Sequence, residues 1–172
     1  MAAQPASVAA APRVVLSART SHGVVTATLT LPFAQRCKSR LRCRLDNGAE
    51  AAVLIARGGV LRNGDLLAGD DGRVVQVVAA TEPLSQVETG DLKRLAQICY
   101  HLGNRHVTLQ IGPGWVRYAR DHVLDEMVRR FGCKVRHVVA TFEPEIGAYH
   151  QHGHGARVQQ HHAHQHGADH GD

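Results

Sequence analysis

Apolar and polar positions repeat along this chain at two different periods, and the change falls near Glu82-Pro83. Before it, the period is two. Val24 to Leu31 is a run of Val, Thr and Leu that ends at Pro32. From Lys38 to Leu45 the side chains alternate, with Leu41, Cys43 and Leu45 on one side and Arg40, Arg42 and Arg44 on the other. That is the pattern of a strand with one buried face. Asp46-Asn47-Gly48 supplies a hairpin turn, because Asn and Gly tolerate positive φ, and Ala51 to Ile55 returns as the partner strand. Arg62-Asn63-Gly64-Asp65 and Gly69-Asp70-Asp71-Gly72 read as further turns, and Val74 to Ala79 as another strand. Short strands with frequent turns predict an all-β sandwich or barrel-like domain over residues 1–82. Its first twelve residues, uncharged and rich in Ala and Pro, read as a loose arm.

Beyond Pro83 a helical period joins the strands. Leu84 to Thr89 fits a strand. Asp91 can cap a helix whose apolar positions are Leu92, Leu95, Ala96, Cys99 and Leu102, stopped by Gly103-Asn104. His106 to Ile111 reads as a strand, Gly112-Pro113-Gly114 as a turn, and Trp115 to Tyr118 as its partner. Asp121 can cap a second helix with Val123, Leu124, Met127, Val128 and Phe131 on one face, ended by Gly132. Val135 to Phe142 closes the set. The order βαββαβ over residues 83–148 is the ferredoxin-like arrangement. The expected fold class is therefore α+β: a small all-β domain, a ferredoxin-like domain, and a tail over 149–172.

The tail changes the picture most. Residues 150–172 hold eight of the thirteen histidines: His150, His152, His154, His161, His162, His164, His166 and His170. They stand among Gly, Gln and Ala, with almost nothing apolar to bury. Such a segment cannot recover the entropy of ordering, so it is expected to be disordered. Neutral imidazole suits Ni²⁺, Zn²⁺ and Cu²⁺ and is a poor ligand for Mg²⁺ or Ca²⁺. Pairs such as His150/His152 and His152/His154 can chelate, but the free backbone fixes no single geometry. Two plainer readings stand beside metal binding: a purification tag, against which the irregular spacing argues, and a solvated, pH-responsive tail.

Composition excludes more than it identifies. The 172 residues are 44% hydrophobic, enough for packed cores, but only 4% aromatic, which argues against a stacking platform for bases. The formal charge of +5 is uneven: residues 1–82 carry ten Lys/Arg against six Asp/Glu, and residues 83–148 nine against seven. The stripe Lys38, Arg40, Arg42, Arg44 reads as a solvated edge or as a surface for an acidic protein; nucleic acid is not the expected partner. No run approaches the roughly 18 apolar residues that cross a bilayer, and no early basic-then-apolar stretch reads as a signal peptide. Cys37, Cys43, Cys99 and Cys133 form no CxxC. Cys43 and Cys99 are expected on core faces, and Cys37 and Cys133 nearer exposed ends. A cytoplasmic protein with reduced thiols and no membrane association follows. There is no HExxH, no paired CxxC and no GxxxxGK[ST], so neither hydrolytic zinc, a zinc knuckle nor nucleotide hydrolysis is expected, and the chain does not read as an enzyme. His22, His101, His106, His122 and His137 complete the histidines. By spacing alone each is weak evidence for a ligand.

One set of motifs is specific. Tyr100-His101-Leu102-Gly103-Asn104-Arg105-His106 is followed by Leu109-Gln110-Ile111, by Asp121-His122-Val123-Leu124-Asp125, and by Phe142-Glu143-Pro144-Glu145-Ile146-Gly147-Ala148-Tyr149. Upstream stand Lys38-Ser39-Arg40, Arg57-Gly58 and Leu61-Arg62-Asn63-Gly64-Asp65. Over nearly the whole chain after the first dozen residues, this resembles the UreE family of urease accessory proteins, which are nickel metallochaperones. The resemblance implies a homodimer built through the ferredoxin-like domain, with His106 of each copy facing its mate and binding metal between them. It implies tail histidines that complete that site, a β domain similar to a peptide-binding fold, and Ni²⁺ as cargo passed through an accessory GTPase to the urease apoprotein. Zn²⁺ or Cu²⁺ would compete for the same ligands. Two departures stand out. Tyr118-Ala119-Arg120-Asp121-His122 keeps only His122 where some members have further histidines, which puts an auxiliary site there in doubt. Ala56 stands where the family often has Pro. The expected function is nickel insertion during urease maturation; the alternative is a histidine-tail buffer or storage protein without specific delivery.

Overall fold

The computed structural model describes residues 13–145. In chain order the elements are β1 (Val14–Thr20), β2 (Val25–Leu31), α1 (Phe33–Arg36), β3 (Arg40–Arg44), β4 (Glu50–Leu54), β5 (Leu66–Gly69), β6 (Val74–Ala79), β7 (Thr81–Glu88), α2 (Leu92–Gly103), β8 (Gln110–Gly112), β9 (Trp115–Ala119), α3 (His122–Arg130) and β10 (Val135–Thr141). The fold class is α+β, with two sheets and three helices.

The first sheet has the order β2-β6-β5-β1-β4-β3. Its pairs β2/β6 and β1/β4 are parallel, and the rest antiparallel. Leu29 and Leu31 of β2 and Ala51 and Val53 of β4 share one buried cluster with Leu16, Leu67, Val75 and Val77, and Leu41 and Cys43 of the end strand β3 pack against it. The sheet therefore curls around a common core from which water is excluded, and among the described residues its end strands β2 and β3 are bridged only at the hairpin tip, by Asp46. The β3–β4 hairpin turns at Gly48, whose φ of 86° is open to glycine without a Cβ clash. At its tip the Asp46 N–H donates to the Thr28 carbonyl at 2.9 Å, and the Asp46 carboxylate accepts from the Thr30 N–H at 3.1 Å. The single-turn helix α1 was not expected from periodicity. Pro32 stands at its N-cap, and four residues are too few to show a period.

The second sheet is antiparallel throughout, in the order β10-β7-β9-β8. Numbering its strands within the βαββαβ unit gives 4-1-3-2, the ferredoxin-like arrangement. Leu95, Ile98 and Leu102 of α2 and Val128 of α3 pack on Val87, Val116 and Tyr118 of the sheet. Each such aliphatic side chain gains about 1.5–3 kcal/mol by leaving water. Both helices start where an aspartate can cap them. The Asp91 carboxylate accepts from the Arg94 N–H at 3.1 Å, and that of Asp121 accepts from Val123 at 2.8 Å and Leu124 at 3.1 Å. Leu92 and Val123, expected on the apolar faces of their helices, are exposed at the helix starts, and Ile98, not among the expected positions, is fully buried. Two further local expectations are corrected. Residues 106–109 are irregular rather than extended strand, because His106 has a left-handed backbone. Cys133 is buried in the core, since the turn at Gly132 (φ 76°) brings it inward.

The two sheets are joined by a buried cation. Arg36, at the end of α1, is wholly buried. Its Nη1 donates to the Leu61 carbonyl at 3.0 Å and to Glu143 Oε1 at 2.6 Å, while Nη2 donates to the Phe142 carbonyl. Glu143 also accepts from Arg62 Nη1 at 3.1 Å and from the Asn63 N–H at 3.2 Å. Phe33 meets Phe142 edge-on at 5.4 Å. These contacts set how residues 142–145 leave the second sheet.

Candidate metal site

His106 is the one non-glycine residue with positive φ among the described residues, at 57°. Helix α2 runs through Gly103, and the chain then coils back on the helix end. The Arg105 N–H donates to Leu102 at 3.0 Å, His106 to Gly103 at 2.8 Å, and Val107 to Leu102 at 3.2 Å. These bonds satisfy helix carbonyls that would otherwise lack donors. A left-handed backbone costs an L-residue about 1–2 kcal/mol, though His, Asn and Asp adopt it more often than most. The geometry holds the His106 imidazole exposed, at the edge of a cleft of about 580 Å³ between the two sheets. Cys37, Gly59 and Val60 line one wall of that cleft; Val107 and Ile111 line the other. Glu145 also lines this cleft, its N–H bonded to the Leu109 carbonyl at 2.7 Å.

No group of three His, Cys, Asp or Glu side chains that could hold a metal ion forms among the described residues. His106 would therefore need ligands from elsewhere. The cysteines are poor candidates. Burial pushes the thiols of Cys37, Cys43 and Cys99 up, against the lowering effect of Arg36 and Arg62 at Cys37, so none is a ready thiolate near neutral pH. His150, His152, His154, His161, His162, His164, His166 and His170 lie outside the described residues.

The other described histidines have structural surroundings. His101 stacks on Phe131 at 4.8 Å and meets Tyr100 edge-on at 5.3 Å. His122 is the first residue of α3, exposed beside the Asp121 cap. His22 sits in a turn with Nδ1 3.1 Å from Ser21 Oγ. His137, on β10, places Nε2 2.7 Å from Asp125 Oδ2.

Asp125 was not singled out by spacing. It is 2% exposed, on the inner face of α3, and accepts from the Tyr118 hydroxyl at 2.9 Å as well as contacting His137. The signal was present as a lone carboxylate on an apolar face. Burial raises its pKa, but hydrogen bonding from Ser85, His137 and Tyr118 and the charge of His137 outweigh this and hold it below the usual carboxylate value. Burial, then the bond to Asp125 and its charge, push the Tyr118 phenol up. The Ser85 hydroxyl lacks a partner of good hydrogen-bond geometry, yet lies near enough to help keep Asp125 ionised. A carboxylate with a depressed folded pKa stabilises the fold above its unfolded value near 4 and loses that contribution as pH falls through the folded pKa. Asp125→Asn should cost about 2 kcal/mol at neutral pH, and the gap to the parent should narrow below about pH 4. Urea unfolding of both proteins across pH measures this; a pH-independent gap would remove the carboxylate from the account.

Residues 8–80 match the N-terminal domain, and residues 82–171 the C-terminal domain, of the UreE urease accessory protein. A urease accessory protein UreE of Alkalilimnicola ehrlichii is 56% identical over 123 residues, covering 72% of this chain and 76% of that protein. Another, from Enterobacter sp. (strain 638), is 50% identical over 138 residues, covering 79% and 91%. A third, from Citrobacter koseri, is 51% identical over 143 residues, covering 83% and 91%. The class these matches define is that of proteins named as accessory to the enzyme urease. Within it, this chain belongs to the UreE family of urease accessory proteins.

Proposed function

We propose that the protein is a dimeric, cytoplasmic, non-enzymatic nickel chaperone that delivers Ni²⁺ for assembly of the urease active site through an accessory GTPase. The observation that carries this reading is His106: an exposed imidazole on a left-handed turn, without a ligand set of its own among the described residues. A twofold axis would double that donor, and His150, His152 and His154 are the nearest tail ligands in sequence to Glu145. Leu92 and Tyr100 of α2 stay 74% and 65% exposed, apolar surface on the helix that leads to His106 and suited to a second copy. A site assembled from imidazoles of two chains is open and exchangeable, as handover requires. Zn²⁺ and Cu²⁺ fit the same donors. The remaining tail histidines, together with His122 if it contributes, would raise capacity. Binding needs neutral imidazole, so acid should weaken it.

The test is calorimetric nickel titration of the full chain beside one ending at residue 149. Tail removal should lower the number of ions per dimer and leave one tight class of site. Loss of nearly all binding would mean that the tail acts alone, as a metal buffer or store.

A further inference from the structure

The arginine stripe on β3 has a backbone counterpart. In the β3–β4 hairpin the Ile55 N–H donates to Ser39 at 2.9 Å and the Leu45 N–H to Ala49 at 2.9 Å. Odd-numbered residues of β3 therefore bond to β4, and the N–H and C=O of Arg40, Arg42 and Arg44 point to the opposite edge. The strand ends its sheet, and none of these three backbones has a hydrogen-bond partner among the described residues. Asp46, the next residue of that set, does use its outward N–H, for Thr28 of β2 at the hairpin tip. The three arginine side chains are exposed. Arg44 pairs with Glu50 at 2.7 Å, whereas Arg40 and Arg42 form no ion pair among the described residues. Leu54, opposite Arg40 in the register, is 43% exposed on the same face.

We propose that this edge takes an extended acidic segment of a partner protein as an added strand. An incoming strand would bond to the backbone of Arg40, Arg42 and Arg44. Its alternate side chains would then lie directly across from the three guanidinium groups, the position in which opposite charges stabilise a strand pair. Charge selects the occupant. The β3 edge of a second copy carries the same three arginines and repels. Residues 1–12 hold no charged side chain, and residues 146–172 hold Asp169 and Asp172 as their only acids. Neither segment supplies a run of carboxylates, so the proposed occupant is the acidic segment of a separate protein.

The test uses the full chain with chelator present, so that the histidines bring no metal to the probe. The probe is a short blocked peptide alternating glutamate with valine. It should bind, weaken as salt rises, and slow hydrogen exchange at the amides of Arg40, Arg42 and Arg44. Arg40→Glu with Arg42→Glu should weaken it about tenfold or more, while Arg42→Lys should retain most of the binding. A peptide of the same composition with its glutamates in one block should bind less and protect less. Equal binding of the block peptide without amide protection would leave the arginines as guards of a solvated edge and overturn the proposal. So would displacement of the peptide by a single-stranded oligonucleotide at lower concentration, which would make the stripe a phosphate-binding surface.

Discussion

An Arg36→Ala variant should lose about 3–5 kcal/mol of unfolding free energy, a large part of the roughly 5–15 kcal/mol that a domain holds. Arg36 is wholly buried, while the Glu143 side chain is 26% exposed. Truncation would remove the donor to three acceptors at once: the Leu61 carbonyl, the Phe142 carbonyl and Glu143 Oε1. Two of these are backbone groups that have no way to change protonation in compensation. Glu143 keeps Arg62 and the Asn63 N–H, which caps the loss. Arg36→Lys keeps the charge but lacks the planar fork that reaches all three acceptors, so it should fall between. The position of the clamp gives a second readout. The one tryptophan, Trp115, stands on β9 of the second sheet, whereas Arg36 belongs to the first. If the clamp couples the sheets, the Trp115 fluorescence transition in urea should move together with the far-ultraviolet circular dichroism. A Trp115 midpoint that stays fixed while circular dichroism splits into two steps would show that the sheets unfold independently.

The same arginine shows where reading from residues stops. Helices α2 and α3 were legible because each repeats apolar side chains over two or more turns behind an aspartate cap. The β3–β4 hairpin was legible because alternation and Asn47-Gly48 agree. Arg36 could not be foreseen: its carboxylate partner lies 107 residues away, and nothing local marks a cation for burial. Asp125 is intermediate. It interrupts an apolar helix face, but the phenol and imidazole that satisfy it come from β9 and β10. The strand expected over His106 to Ile111 forms only from Gln110 on; its first four residues depart for a reason no periodicity carries, since the left-handed turn is a property of one backbone angle. His106 entered as a candidate through the likeness of its motif. What the fold adds is its exposure, its turn and the cleft beside it.

That backbone angle makes the largest functional prediction separable from a structural one. If the protein works as proposed, His106→Ala and His106→Gly should both lose the tightest nickel site, lowering affinity by more than about a hundredfold, because in the proposed dimer each would remove two imidazoles. They should differ in stability without metal. Alanine at φ 57° retains the strain of the left-handed turn and gives up the imidazole, whereas glycine adopts that angle freely. The glycine variant should therefore be the more stable by about 1 kcal/mol in urea. Equal metal loss with unequal stability assigns the effect to the ring nitrogens rather than to a collapsed helix end. The tail's own ions should persist in both variants as a weaker class in the same calorimetric titration. Retention of the tight site in both would move it away from His106, leaving the strained turn a structural device that joins α2 to the segment beneath it.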